Sequence, residues 1–333
     1  HSCSLPARWR SAYQAGVSAT RPSLPIDDVL AEICSGLGAD SRLVLAAPPG
    51  AGKTTRVPLA LAGLLGDAAV IEGKIIMLEP RRIAARMAAQ QMAKSLGEKL
   101  GQSVGLTTRV DRKVSDATRV EVITDGLFTR RILSDPELTG IGAVIFDEFH
   151  ERRLNSDLGL SLAMEAQGAL RDDLKLLIMS ATLDTEKVSS VLGAPVVESQ
   201  GRQYPVETRY LGRSQDRVED RMASVVRKAL REEEGSILAF LPGAREIQRT
   251  AEQLERVPDN VRVAPLFGAL SPAEQDAAVS PAPDGMRKVV LATDIAESAL
   301  TIEGVRIVID SGLSRAAEDA AGGLGTRLST VKA

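Results

Sequence analysis

The sequence is poor in several side chains that common functions need. Aromatic residues make up only 3% of the 333, which argues against a nucleic-acid surface built mainly from stacking platforms. The only histidines are His1 and His150, and the only cysteines are Cys3 and Cys34. They offer no metal-ligand spacing and no disulfide framework, and two cysteines fit a reducing compartment. No apolar run approaches the roughly 20 residues of a membrane span. No signal-peptide core is present either, so the cytoplasm is the expected address and no membrane partner is expected. A net charge of −3 gives no whole-molecule attraction for nucleic acid, and any such contact must come from local basic clusters. What remains, 44% hydrophobic and 26% charged, is the composition of a globular protein long enough for two domains. The first residue is His1 rather than methionine, which suggests a fragment or a processed chain, and residues 1–22 read as a disordered tail.

From Pro25 the pattern becomes regular. An amphipathic helix is expected through Val29, Leu30, Ile33 and Leu37. The apolar run Leu43-Val44-Leu45-Ala46 leads into Ala47-Pro48-Pro49-Gly50-Ala51-Gly52-Lys53-Thr54-Thr55 and then a helical pattern. Strand, glycine-rich loop and helix in that order are the context of a phosphate-cradling P-loop. Lys53 would reach the β- and γ-phosphates and Thr54 would hold Mg²⁺. Ala47 stands where the generic pattern has its first glycine, and alanine can turn there if φ stays negative.

Further apolar strands are expected at 74–78, 104–110, 118–123, 143–146 and 174–179, alternating with helices. Such a series builds a parallel sheet covered on both faces, with working residues at the carboxyl ends of its strands. Asp147 and Glu148 directly follow one of these strands. Phosphoryl transfer to water needs a carboxylate to hold metal and a group to position the water, and this pair supplies both. His150 lies close to the pair. The pattern breaks near 199–205, where the domain boundary is placed, giving domains 23–200 and 201–333. A second α/β series follows, with strands at 236–241, 261–266, 288–292 and 305–309 and a final hairpin after Ser314. Two tandem α/β domains of which only the first carries a P-loop imply a nucleotide held at their interface.

Asp147-Glu148-Phe149-His150-Glu151-Arg152 resembles the Asp-Glu-x-His box of the DEAH/RHA helicases of superfamily 2. Other boxes of that family follow in order. Glu79-Pro80-Arg81-Arg82-Ile83-Ala84-Ala85 resembles motif Ia, 110–115 the basic segment after it, and Thr124-Asp125-Gly126 motif Ib. Ser180-Ala181-Thr182 resembles motif III, Phe240-Leu241-Pro242-Gly243 motif IV, and 292–302 motif V. The P-loop and the Leu-Glu-Pro-Arg-Arg run are most similar to the bacterial HrpB-type members. The resemblance covers about residues 25–315. It implies two tandem RecA-like P-loop domains with parallel sheets flanked by helices, a cofactor pair of ATP and Mg²⁺, and single-stranded or structured RNA as partner to a monomeric core. Residue by residue, it implies nucleotide binding by Gly50, Ala51, Gly52, Lys53, Thr54, Thr55 and Asp294, the last standing where eukaryotic relatives carry asparagine. It implies metal binding by Thr54 and Asp147, catalysis by Lys53, Asp147, Glu148 and His150, and coupling through Ser180 and Thr182. Arg81, Arg82, Arg109, Thr124 and Thr293 would contact the nucleic-acid strand, gripping its backbone so that any sequence can pass.

The next family box, Gln-Arg-x-Gly-Arg-x-Gly-Arg, does not occur in the 333 residues. On the resemblance the second domain is therefore expected to be incomplete and this chain impaired, because an arginine finger is worth about 10³–10⁵ in rate. Two other readings stay open: a DNA-directed translocase, and a non-hydrolysing nucleotide- or RNA-binding fragment.

Overall fold

The computed structural model describes residues 23–66, 69–181, 185–201, 205–212, 214–296, 302–319 and 326–332, so the expected tail at 1–22 lies outside the described residues. The chain forms two compact units, the first ending at Pro205 and the second beginning at Val206.

The first unit opens with a 3-10 turn, Pro25–Asp28, and α1 (Leu30–Ala39). It continues through β1 (Arg42–Ala46), α2 (Lys53–Leu61), β2 (Lys74–Glu79), α3 (Arg82–Ser95), β3 (Val104–Thr107), β4 (Arg112–Lys113) and β5 (Val120–Thr124). It closes with α4 (Asp125–Ser134), β6 (Ile141–Phe146), a 3-10 turn at Phe149–Glu151, α5 (Leu154–Ala169), β7 (Lys175–Ser180), α6 (Glu186–Leu192) and β8 (Val196–Glu198). The strands form one eight-stranded sheet in the order β4-β3-β5-β2-β6-β7-β1-β8. Its central strands are apolar on both faces because both faces are covered. Side-chain alternation sends Ile76, Leu78, Val144, Phe146 and Ile178 to a core shared with Phe128 of α4 and Leu160 and Ala163 of α5. Ile75, Met77, Ile145, Leu177 and Met179 face the opposite core, with Leu59 of α2 and Ala85, Ala89 and Met92 of α3. Phe128 meets Phe146 edge-on at 5.9 Å between ring centres.

Two details differ from the sequence expectation. The strand expected over 104–110 stops at Thr107, because Thr108 closes a turn: its N–H donates to the Asp111 carbonyl at 2.7 Å, and its Oγ1 accepts from the Asp111 N–H at 3.1 Å. The chain then returns as β4, antiparallel to β3, so this sheet is mixed rather than wholly parallel. The short edge strand β8, parallel to β1, was also not expected.

The second unit contains α7 (Val218–Glu232), β9 (Ser236–Phe240), α8 (Ala244–Gln253), β10 (Val261–Leu266), α9 (Pro272–Val279), β11 (Arg287–Ala292), a 3-10 turn at Asp294–Ala296, β12 (Val305–Asp310), β13 (Leu313–Asp319) and β14 (Thr326–Lys332). Four strands make a parallel sheet, β10-β11-β9-β12, and β13 and β14 pair antiparallel. Ser271 and Glu274 form a reciprocal capping box that starts α9. Both units are α/β sheets flanked by helices, the RecA-like arrangement expected from the boxes. Among the described residues no helix is long and apolar enough to cross a membrane.

The strand that delivers Asp147 depends on a close backbone approach at its start. A Cβ on Gly142 would overlap the Glu72 carbonyl oxygen, a backbone atom that cannot swing aside. Gly142→Ala is therefore expected to destabilise the first unit by about 1–3 kcal/mol. Urea unfolding followed by circular dichroism measures this; an unchanged midpoint would show that the β6 entry is more pliable than its packing implies.

Candidate functional site

After β1 the chain turns through residues 47–52 into α2. Gly50 and Gly52 have φ of +77° and +96°, a region open to glycine and strained for other residues. Gly52 is also the N-cap of α2, so the first N–H groups of that helix open on the loop and form an anion site. The segment before α1 rests on this loop, with the Ile26 N–H donating to the Ala51 carbonyl at 3.0 Å. Ala47 keeps negative φ and is buried, its N–H donating to the Ser180 carbonyl at 3.0 Å. Alanine is thus accommodated in the first glycine slot.

The P-loop and the Asp147-Glu148 pair meet directly, although about ninety residues separate them in sequence. Lys53 Nζ lies 2.8 Å from Glu148 Oε1, and both side chains are buried. The Thr54 hydroxyl donates to Asp147 Oδ2 at 2.5 Å, and Asp147 Oδ1 accepts from the Glu148 N–H at 2.8 Å. Burial alone would lower the Lys53 pKa, but the Asp147 and Glu148 carboxylates outweigh it and hold the ammonium above its ordinary value. Burial and the charge of Asp147 push the Glu148 carboxyl up, against the opposing pull of Lys53. Glu148 is also held at φ +49° and ψ +35°, a left-handed conformation that costs an ordinary residue about 1–2 kcal/mol. His150 Nδ1 lies 3.3 Å from Glu148 Oε2 and 3.4 Å from the Ala181 N–H, which donates to it. Those contacts place the histidine between the acidic pair and the end of β7.

Sheet order explains why these groups converge. In the order β3-β5-β2-β6-β7-β1, the carboxyl ends carry in turn Arg109, Thr124, Glu79 with Arg81 and Arg82, Asp147 with Glu148, Ser180, and the P-loop. The proposed nucleotide residues occupy one half of this row and the proposed strand-contacting residues the other. Arg82 and Arg109 are exposed, whereas Arg81 is partly buried with Nη2 3.9 Å from Glu151 Oε2. Glu151 also accepts from Arg153 Nε at 2.8 Å, and Arg153 reaches the Pro80 carbonyl at 3.2 Å. Ser180 is buried; Thr182 lies outside the described residues. Thr293 and exposed Asp294 follow β11 in the second unit.

Sequence reasoning passed over one residue of the row. Glu79, the last residue of β2, is fully buried. Its only signal was a carboxylate ending a strand that is otherwise apolar after Lys74.

A P-loop joined to an acidic pair at the carboxyl edge of a RecA-like sheet defines a nucleotide-binding α/β protein of the P-loop class. Residues 27–191 match the model of the DEAD/DEAH box helicases, and residues 220–321 match the helicase conserved C-terminal domain. The chain belongs to the DEAD/DEAH box helicase family. It is 52% identical over 314 residues to the ATP-dependent RNA helicase HrpB of Escherichia coli, covering 93% of this chain and 38% of that protein. The crystal structure of E. coli DEAH/RHA helicase HrpB superposes with a TM-score of 0.85 over 93% of this chain and 40% of that one, at 52% identity. The pre-mRNA-splicing factor ATP-dependent RNA helicase prp22 of Schizosaccharomyces pombe is 36% identical over 88% of this chain and 26% of its own length. The chain therefore spans well under half of these relatives.

Glu79 has a measurable consequence for folding. Burial first, and then the charges of Asp147, Glu148 and Asp125, push its carboxyl well above the ordinary range, against the pull of Lys53. Between about pH 4.3, the ordinary glutamate value, and that raised value, the native state holds a proton that the unfolded chain releases. Stability from this group is therefore lost as pH rises through the window. Glu79→Gln is expected to be more stable than the parent, with a gain that grows as pH rises above the ordinary glutamate range. Urea titrations of both proteins at several pH values measure it; a gain independent of pH would contradict the assignment.

Proposed function

We propose that this chain is the ATP-binding and ATP-hydrolysing part of an RNA helicase, using Mg²⁺ and acting on single-stranded or structured RNA. The observation that carries this reading is the paired contact of Lys53 with Glu148 and Thr54 with Asp147. It joins the four groups that phosphoryl transfer to water requires, at the mouth of a helix N-terminus suited to phosphate. The donor set fits Mg²⁺, a hard cation that takes one or two carboxylates, substrate phosphates and several waters. Thr54 and Asp147 would hold it, and when bound it would neutralise negative charge on the phosphates. Gly50, Ala51, Gly52 and Thr55 would line the phosphate cradle, and Asp294 would contribute to nucleotide binding from the second unit.

Without nucleotide, Lys53 and Glu148 neutralise each other. A triphosphate competes for the Lys53 ammonium, and Glu148 is then released to orient water and take its proton. His150, in reach of both Glu148 and the Ala181 amide, would relay that change toward Ser180 and Thr182. On the other half of the row Arg81, Arg82, Arg109 and Thr124, together with Thr293 of the second unit, would grip the sugar-phosphate backbone. A monomeric core in the cytoplasm accords with this role.

ATP turnover by the chain should rise on adding RNA, and more than on adding DNA of the same sequence. Lys53→Ala should remove turnover about 10²-fold or more. Glu148→Gln should keep nucleotide binding while lowering turnover about 10²–10⁴-fold. Stimulation by DNA equal to that by RNA would favour a DNA-directed translocase. Nucleotide binding with no turnover, even with RNA present, would leave a binding module in place of a motor.

A further inference from the structure

Glu79 holds an expensive position for which the proposed chemistry gives no reason. The residue is fully buried, and neither carboxyl oxygen has a hydrogen-bond partner among the described residues. Buried carboxyl groups are almost always paired, and an orphaned one points to a role or to a missing partner. Its position narrows the choice. In the parallel pairing of β2 with β6, Leu78 faces Phe146, and the Asp147 N–H donates to the Leu78 carbonyl at 3.1 Å. Glu79 is therefore the cross-strand neighbour of Asp147. Leu78 and Phe146 belong to the core on the α4–α5 side, so alternation turns Glu79 and Asp147 to the other face, that of α2 and the P-loop. Three carboxyl groups, Glu79, Asp147 and Glu148, bear on the Lys53 ammonium. Asp147 and Glu148 alone exceed the single positive charge of Lys53, so the site is short of positive charge before Glu79 is counted.

The shortage matches a divalent cation but limits how Glu79 could meet it. Among the described residues no group of three or more His, Cys, Asp and Glu side chains is arranged to hold a metal ion directly. Mg²⁺ takes few carboxylates and keeps several waters, which need acceptors in turn. We propose that Glu79 is a positioning residue of the nucleotide site, its carboxyl accepting hydrogen bonds from water carried by the cation that Thr54 and Asp147 hold. The proposal rests on the nucleotide-site reading above and adds to it a third carboxyl that never touches the metal. It also explains the orphaned oxygens, since their partners arrive only with the hydrated ion.

The test titrates Mg²⁺ into the full chain bound to a fluorescent ADP analogue and reads the Mg²⁺ midpoint for nucleotide tightening. Glu79→Gln is expected to raise the midpoint about tenfold, the lower end of the effect of removing an outer-shell partner, while nucleotide affinity in EDTA stays unchanged. A role confined to packing would alter the unfolding midpoint and leave the Mg²⁺ midpoint in place. Asp147→Asn separates the two levels. If it abolishes the Mg²⁺ effect while Glu79→Gln keeps the parent midpoint, the proposal for Glu79 is overturned and the site reading stands. If Asp147→Asn leaves the Mg²⁺ effect intact, the site reading itself fails, and the proposal with it. Should Glu79→Gln not fold, Glu79→Asp keeps the carboxyl with a shorter reach, and the same two outcomes decide.

Discussion

The ion pair between Lys53 and Glu148 is the contact on which the first unit's chemistry turns. Two buried charges survive there because each neutralises the other, and removing either partner would strand the remaining one. That dependence ties the loop after β1 to the loop after β6 across the intervening β7. The Thr54–Asp147 hydrogen bond runs parallel to it. Together the two contacts hold the P-loop against the acidic pair.

The second constraint is strand order. Because β2 and β6 are neighbours at the middle of the sheet, the two halves of the carboxyl edge meet at Glu79 and Asp147. Arg81 and Arg153 share Glu151, so the loop after β2 is joined by charge to the turn that follows Glu148. Any displacement of Arg81 is therefore felt three residues from the carboxylate proposed to orient water. The physical route between the two halves of the row is short and made of ion pairs rather than apolar packing.

Much of this was legible in the sequence because the chemistry is locally written. The P-loop is nine consecutive residues, and Asp147-Glu148 follows directly on its strand, so both could be read with their strand contexts. The apolar runs of β1, β2, β6 and β7 announced a doubly covered sheet, and the structure has it. What could not be read depends on partners far away in the chain. The reversal at β4 rests on one threonine closing a turn within a stretch that otherwise looks extended. The partly buried state of Arg81 needs Glu151, seventy residues later. Glu79 looked like the polar end of a strand, and only the placement of β2 between β5 and β6 shows that solvent never reaches it.

Glu148 also stands where a glycine would be at ease. Its left-handed backbone and its raised carboxyl pKa both work against folding, yet both belong to the residue proposed to handle the attacking water. Folding and catalysis therefore pull in opposite directions at position 148. A glycine there would relieve the backbone but strand the Lys53 ammonium, so a library selected only for thermal resistance should change positions 53 and 148 together, and one selected for turnover should hold both and place its stabilising changes elsewhere.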